Sequence, residues 1–159
     1  MRKFFFAAAA LLSACVSVRV DDSPAADSAL AALIANAHVR ECPPARRQAN
    51  ARSEGFGATS GVAVEDIAIT PLASDATRAL RLRRIRVAPG GIVAWHDHTA
   101  IQGMALMLSG EMVELRNSCL DPILYRAGEV AIEDAETAHS WRNESNVDAV
   151  VLVSHVVAR

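Results

Sequence analysis

The chain has 159 residues, with 16 Lys and Arg against 18 Asp and Glu, a formal charge of −2. A mildly acidic balance gives no electrostatic case for nucleic acid as a partner, and none is expected. With 52% hydrophobic residues, a chain of this length suits one domain able to bury its own core.

The N-terminus reads as a targeting segment over residues 1–14. Arg2 and Lys3 form a basic start, and the apolar run from Phe4 to Leu12 is too short to span a bilayer but fits a secretory signal. The run ends in Leu12-Ser13-Ala14-Cys15, which resembles the lipobox of bacterial lipoproteins. That resemblance implies cleavage before Cys15, lipid on its sulfur, and a mature protein anchored on the periplasmic side of the cell envelope. The alternative is an ordinary signal peptide with Cys15 as a bystander.

Cys42 and Cys119 are the other two cysteines. With Cys15 lipidated they form an even pair in an oxidising compartment, and a disulfide between them would tie the N-terminal arm to the domain. Two unpaired thiols are the other possibility.

Residues 15–60 read as a tether and N-terminal arm. Residues 16–28 suit a flexible tether, and residues 29–39 have helix-forming composition, with Leu30, Leu33, Ile34 and Ala37 on one face. Pro43-Pro44 stops a helix, and residues 45–61 are polar and glycine-bearing, hence a loop.

From residue 61 to residue 159 the period is two. VAVEDIAI alternates with a shift between Val64 and Ile67. ALRLRRIRV places Leu80 and Leu82, then Ile85 and Val87, between arginines. The doubled Arg83-Arg84 predicts a β-bulge, and the arginines read as the solvated face of an edge strand rather than as a phosphate or membrane patch. VAPGG at 87–91 predicts a turn. Strands are expected at 92–98, 103–109, 111–116, 122–126, 129–133, 138–142 and 147–157. Many short, closely spaced strands argue for an antiparallel sandwich or barrel.

In AWHDHTAIQG, His96 and His98 are two apart, so on a strand they share one face, and Trp95 and Asp97 share the other. Two converging imidazoles suit several divalent metals and choose none. The wider spacing is more informative. Gly90 lies six before His96, Gly110 closes the following hairpin, His139 follows Gly128 by eleven, and Asn143 follows His139 by four. This two-part pattern resembles the cupin superfamily over roughly residues 79–157. More narrowly, LRLRRIRVAPGG, WHDH, LSGEMVE, RAGEV and TAHSWRN look like small single-domain bacterial cupins of the type-2 kind. The resemblance implies an all-β fold, the cupin double-stranded β-helix or jelly-roll barrel, preceded by a short helical and irregular arm. It also implies a metal held by His96, His98 and His139.

The pattern is incomplete. The position of the usual first-motif glutamate falls on Gln102 or Gly103, the second-motif proline on Asp134 and its inner glycine on Glu136. Three neutral histidines with an open position are still a sufficient set for a divalent metal ion, unlike the two-histidine, one-carboxylate arrangement of iron oxygenases. Gln102 is a weaker candidate ligand. Glu133, if its strand turns it inward, would restore a carboxylate, and Glu133 or Glu111 is the candidate general base. Trp141, two after His139, lines the pocket with Gln102 or is simply a core residue. His38 and His155 fall off the motif and read as ordinary histidines. Met104, Leu106 and Leu108 read as barrel packing, with Met107 on the opposite face.

The expected function is a cupin that binds a divalent metal and acts on, or binds, a small organic molecule. A non-catalytic binding protein and a structural module able to pair as a homodimer are the other readings that the residues allow.

Overall fold

The computed structural model of the protein describes residues 24–159. The signal segment and Cys15 lie outside them. The first element is helix α1, Pro24–Ala35, with proline at its start and Asn36 Nδ2 donating to the Ala32 carbonyl at its end. It begins inside the expected tether and stops four residues before the expected helix end. Leu30 and Ile34 on it are more than half exposed. The remainder of that stretch becomes strand β1, His38–Val39, which pairs in parallel with β7, Glu129–Glu133.

A short 3-10 turn at Pro44–Arg46 follows, and the arm is then stitched to the barrel. Arg46 forms an ion pair with Asp121 at 2.6 Å, and Arg52 donates to the carbonyls of Cys119 and Leu120. Cys42 and Cys119 are disulfide-bonded, with Cα atoms 5.7 Å apart.

The domain is built on β2, Ser60–Leu72, and on β3, a single strand running from Asp75 to Asp97. Then come β4 (Gln102–Ser109), β5 (Glu111–Arg116), β6 (Ile123–Arg126), β7, β8 (Ala138–Arg142) and β9 (Ala149–Ala158). The ladder order is β1-β7-β4-β9-β3-β8-β5-β6, with β2 added on β3. β3 pairs with β9 from Arg78 to Val87 and with β8 from Ile92 onward. The sequence VAPGG is therefore a corner within one strand, where the sheet curls over, rather than a turn between strands. Gly90 there has a positive φ of 73°, a conformation that costs glycine nothing.

This curled antiparallel sheet is the cupin double-stranded β-helix. Its inner face carries Val87, Ala105, Met107, Met112, Tyr125, Ala131, Trp141, Val151 and Val153. On β4 the inward residues are Ala105 and Met107, while Met104 is 49% exposed, the reverse of the face expected from the sequence. The register of β3 with β9 is unbroken from Arg78 to Val87, so no bulge occurs at Arg83-Arg84. The irregularity sits across the ladder in β2, between Asp66 and Ala68. Since parity is kept, Arg84 and Arg86 point outward to Glu65 and Asp148, whereas Arg81 and Arg83 share the inward parity of Ile85 and Val87.

Candidate metal centre

Two neighbouring strands bring three imidazoles together. His96 lies at the end of β3 and His98 just past it, and His96 pairs with His139 of β8. His98 Nε2 is 2.9 Å from His139 Nε2, which is 3.2 Å from His96 Nε2. The other ring nitrogens fix the tautomers. His96 Nδ1 faces the Ala94 carbonyl at 2.9 Å, His98 Nδ1 the Ile101 carbonyl at 2.8 Å, and His139 Nδ1 the Glu114 carboxylate at 2.6 Å. Each of these partners accepts, so each Nδ1 carries the proton and each Nε2 presents a lone pair. The site thus gathers three bare lone pairs in a buried corner, and they repel one another unless a cation sits between them. His96, His98 and His139 are positioned to hold a metal ion.

Burial pushes the His98 imidazole down to about 4, against the opposing pull of the Glu133 carboxylate and with the aid of the His139 charge. Burial lowers His96 as well. Both rings are therefore ready as ligands at neutral pH without first losing a proton.

Glu133 is buried and turned inward, with Oε1 3.7 Å from His139 Nε2 and 4.0 Å from His98 Nε2. Burial alone would raise its pKa. The hydrogen bond from His155 and the charges of His139, His98 and His155 outweigh burial and hold the carboxyl below its ordinary value. His155 belongs to the site, its Nε2 donating to Glu133 Oε2 at 2.6 Å, so the reading of it as an ordinary histidine is corrected. His98, Glu133 and His155 form a second set of potential ligands adjoining the first.

Glu114, fully buried, holds His139 and is itself held by Arg116 at 2.9 Å. Such carboxylate–histidine pairs orient a ligand and raise its basicity. Both missed residues carry a parity signal in the sequence. Glu114 shares a face with Met112, and His155 shares one with Val151, Val153 and Val157, so each is a polar residue on an otherwise apolar face.

Trp141 is both core and wall. It packs tilted against Tyr125 with ring centroids 4.9 Å apart, and its Nε1 is 3.4 Å from His139 Nε2. Beneath the histidines it helps line a cavity of about 70 Å³ with Val93, Met107, Met112 and Val151. Gln102 is exposed and has the parity opposite to the inward Ala105, so it does not join the ligands. Glu111 is ion-paired with Arg126 at 3.6 Å, outside the histidine cluster, which removes it as a general base here. His38 is exposed on the arm.

The fold is that of the cupins, and the stretch that carries the three histidines, less than half of the chain, matches a cupin family model. Residues 83–155 match the Cupin_2 family model, "Cupin domain". Among solved structures, KdgF from Halomonas sp. superposes with a TM-score of 0.52 at 15% identity, over 62% of this chain and 81% of that one. The cupin domain of Cnp3 from Schizosaccharomyces pombe superposes with a TM-score of 0.51 at 9% identity, over 64% and 69% of the two chains. At these identities the likeness is one of fold. No curated protein matches this chain.

Proposed function

We propose that this protein is a divalent-metal cupin that holds a small organic molecule against the metal, with His96, His98 and His139 as ligands and Glu133 completing the set. The observation that carries this reading is the convergence of three Nε2 lone pairs, those of His98 and His96 lying 2.9 and 3.2 Å from that of His139, each with its Nδ1 proton already committed elsewhere. A metal bound there would polarise a ligand oxygen or acidify a bound water.

The chain's own residues supply the rest. Glu114 fixes the ring of His139, His155 fixes Glu133, and the apolar lining around Trp141 excludes water from one side. The small molecule reaches the centre from the open side, above His96 and His98. We place the protein in the cell envelope, exported by its N-terminal segment and anchored through lipid on Cys15. The Cys42–Cys119 disulfide supports that placement, because such bonds persist in oxidising compartments.

Elemental analysis of untagged protein tests the centre. About one divalent metal per chain is expected, and the His96→Ala, His98→Ala double variant should hold none. Less than about 0.1 metal per chain after dialysis against divalent metals would reject the reading. For the anchor, Cys15→Ser should release the protein from membranes, and unchanged membrane association would refute lipidation.

A further inference from the structure

One row across the sheet links the metal centre to the inward arginines of β3. Glu133 of β7 pairs with Gly103 of β4, Gly103 with His155 of β9, and His155 with Arg81 of β3. Gly103 has no side chain, and His155 reaches over it to Glu133. On the other side of His155 stands Arg81, its direct cross-strand neighbour.

Two polar atoms in this row are buried without a hydrogen-bond partner, His155 Nδ1 and Arg81 Nε. Buried polar atoms in native proteins are nearly always paired, so the unpaired Nε–H of Arg81, a donor, points to a missing acceptor. Arg78 Nε, further from the centre on the same strand, is also buried without a partner, but the arginines that follow Arg81 are satisfied. Arg83 grips Asp66 at 2.9 and 3.0 Å, Arg84 pairs with Glu65, and Arg86 pairs with Asp148. The carboxylate of Asp66 is also the acid nearest Arg81, but at 3.9 Å it is beyond hydrogen-bonding distance and already taken by Arg83. Arg81 and Arg83 line, with His96, His98, Ile101 and His155, one open depression of about 350 Å³. That is the size of a small-molecule site, and its inner end adjoins the apolar cavity beneath Trp141.

We propose that Arg81 is a substrate-recognising residue and that the small organic molecule is a carboxylate. Its anionic group meets the guanidinium of Arg81 at the mouth, and its short apolar part enters the cavity beside Trp141. This rests on the metal-cupin reading for its location, but not for its charge preference. A guanidinium matches a carboxylate because its planar fork donates two parallel hydrogen bonds.

The test uses the full chain loaded with cobalt(II), and the metal-free chain beside it. Both are titrated calorimetrically with 2-methylpropanoate and with its neutral amide. The carboxylate should bind at least about tenfold more tightly than the amide, the loss expected for one charge-assisted hydrogen bond. R81Q should abolish that preference, R81K should keep part of it, and R84Q on the outer face should leave it intact. Cobalt content and melting temperature are read for every variant. Should R81Q not fold, R81K decides in its place. An unchanged preference in the deciding variant, or a parent that does not discriminate carboxylate from amide, overturns the proposal. Absence of cobalt uptake would sink the metal reading alone, and the same comparison on the metal-free chain then decides the role of Arg81.

Discussion

Glu133 lies directly across the β4–β7 ladder from Gly103, and the His155 ring that holds its carboxylate passes 2.7 Å from where a side chain at Gly103 would begin. In the motif that this chain resembles, a glutamate comes from the β4 side. Here the carboxylate comes from β7 and is held by His155. Glu133→Gln keeps shape and hydrogen-bonding capacity but removes the charge. It should weaken metal binding by about tenfold or more while the three histidines still bind, as measured by competition with a coloured chelator. An unchanged dissociation constant would leave Glu133 outside the ligand set.

Gly103 itself cannot be substituted cheaply. A Cβ there would lie 1.8 Å from the Ser154 carbonyl oxygen and 2.7 Å from His155 Cδ2. The first contact is with backbone, which cannot rotate away. Gly103→Ala should cost about 1–3 kcal/mol or more and lower the melting temperature by several degrees, with the His155–Glu133 contact disturbed as well. An alanine variant that melts with the parent would contradict the packing of β4 on β9.

Much of this was legible in the sequence, and the failures have physical reasons. The histidine triad followed from strand parity plus the spacing of the two motifs, since both are set by local geometry. The strands from β4 to β9 fell within a residue or two of their expected bounds because glycine, asparagine and proline punctuate them. Three features were not legible. VAPGG is a corner because β3 changes partner there, which is a tertiary event. The inward turn of Arg81 and Arg83 was hidden because the doubled arginine looks like a break in alternation, while the actual irregularity lies in β2. The part played by His155 depends on the absence of a side chain at Gly103, on the strand between it and Glu133, and no local window contains that relation.

The buried Glu114–Arg116 pair sets a pH dependence. Burial alone would raise the carboxyl of Glu114, but the hydrogen bond and charge of His139 and the pairing with Arg116 outweigh it and hold the group below its ordinary 4.5. A carboxyl depressed in the folded state adds stability above the unfolded value and loses it as pH falls through the folded one. His98 acts in the same direction. The unfolded chain takes up its proton near 6.5 and the folded chain only near 4, so acid favours unfolding across that window. Denaturant titrations of chelator-treated protein should show stability falling from about pH 6.5 downward, and more steeply below about 4.5. A flat profile between pH 7 and 5 would count against the assignment for His98. Glu114→Gln leaves Arg116 buried without its counter-charge, and at neutral pH it should destabilise the protein by on the order of 3 kcal/mol.

The Cys42–Cys119 bond closes the longest covalent loop in the described chain, with a sequence separation of 77 residues. The arm that it ties down has little core of its own. α1 exposes Leu30 and Ile34, β1 is two residues long, and the remaining attachments are surface ion pairs such as Arg46–Asp121 and hydrogen bonds such as those from Arg52 to the Cys119 and Leu120 carbonyls. Surface pairs contribute little, so the disulfide is the one covalent tether on an arm otherwise held by polar contacts. Chain-entropy arguments give about 4 kcal/mol for a loop of this length. Cys42→Ser with Cys119→Ser, or reduction, should therefore lower the melting temperature by on the order of 10 °C. The histidine cluster sits on β3 and β8, away from the bond, so metal stoichiometry should be unchanged in the double serine variant. Loss of metal along with the disulfide would mean that the arm, and not the barrel alone, holds the centre in shape.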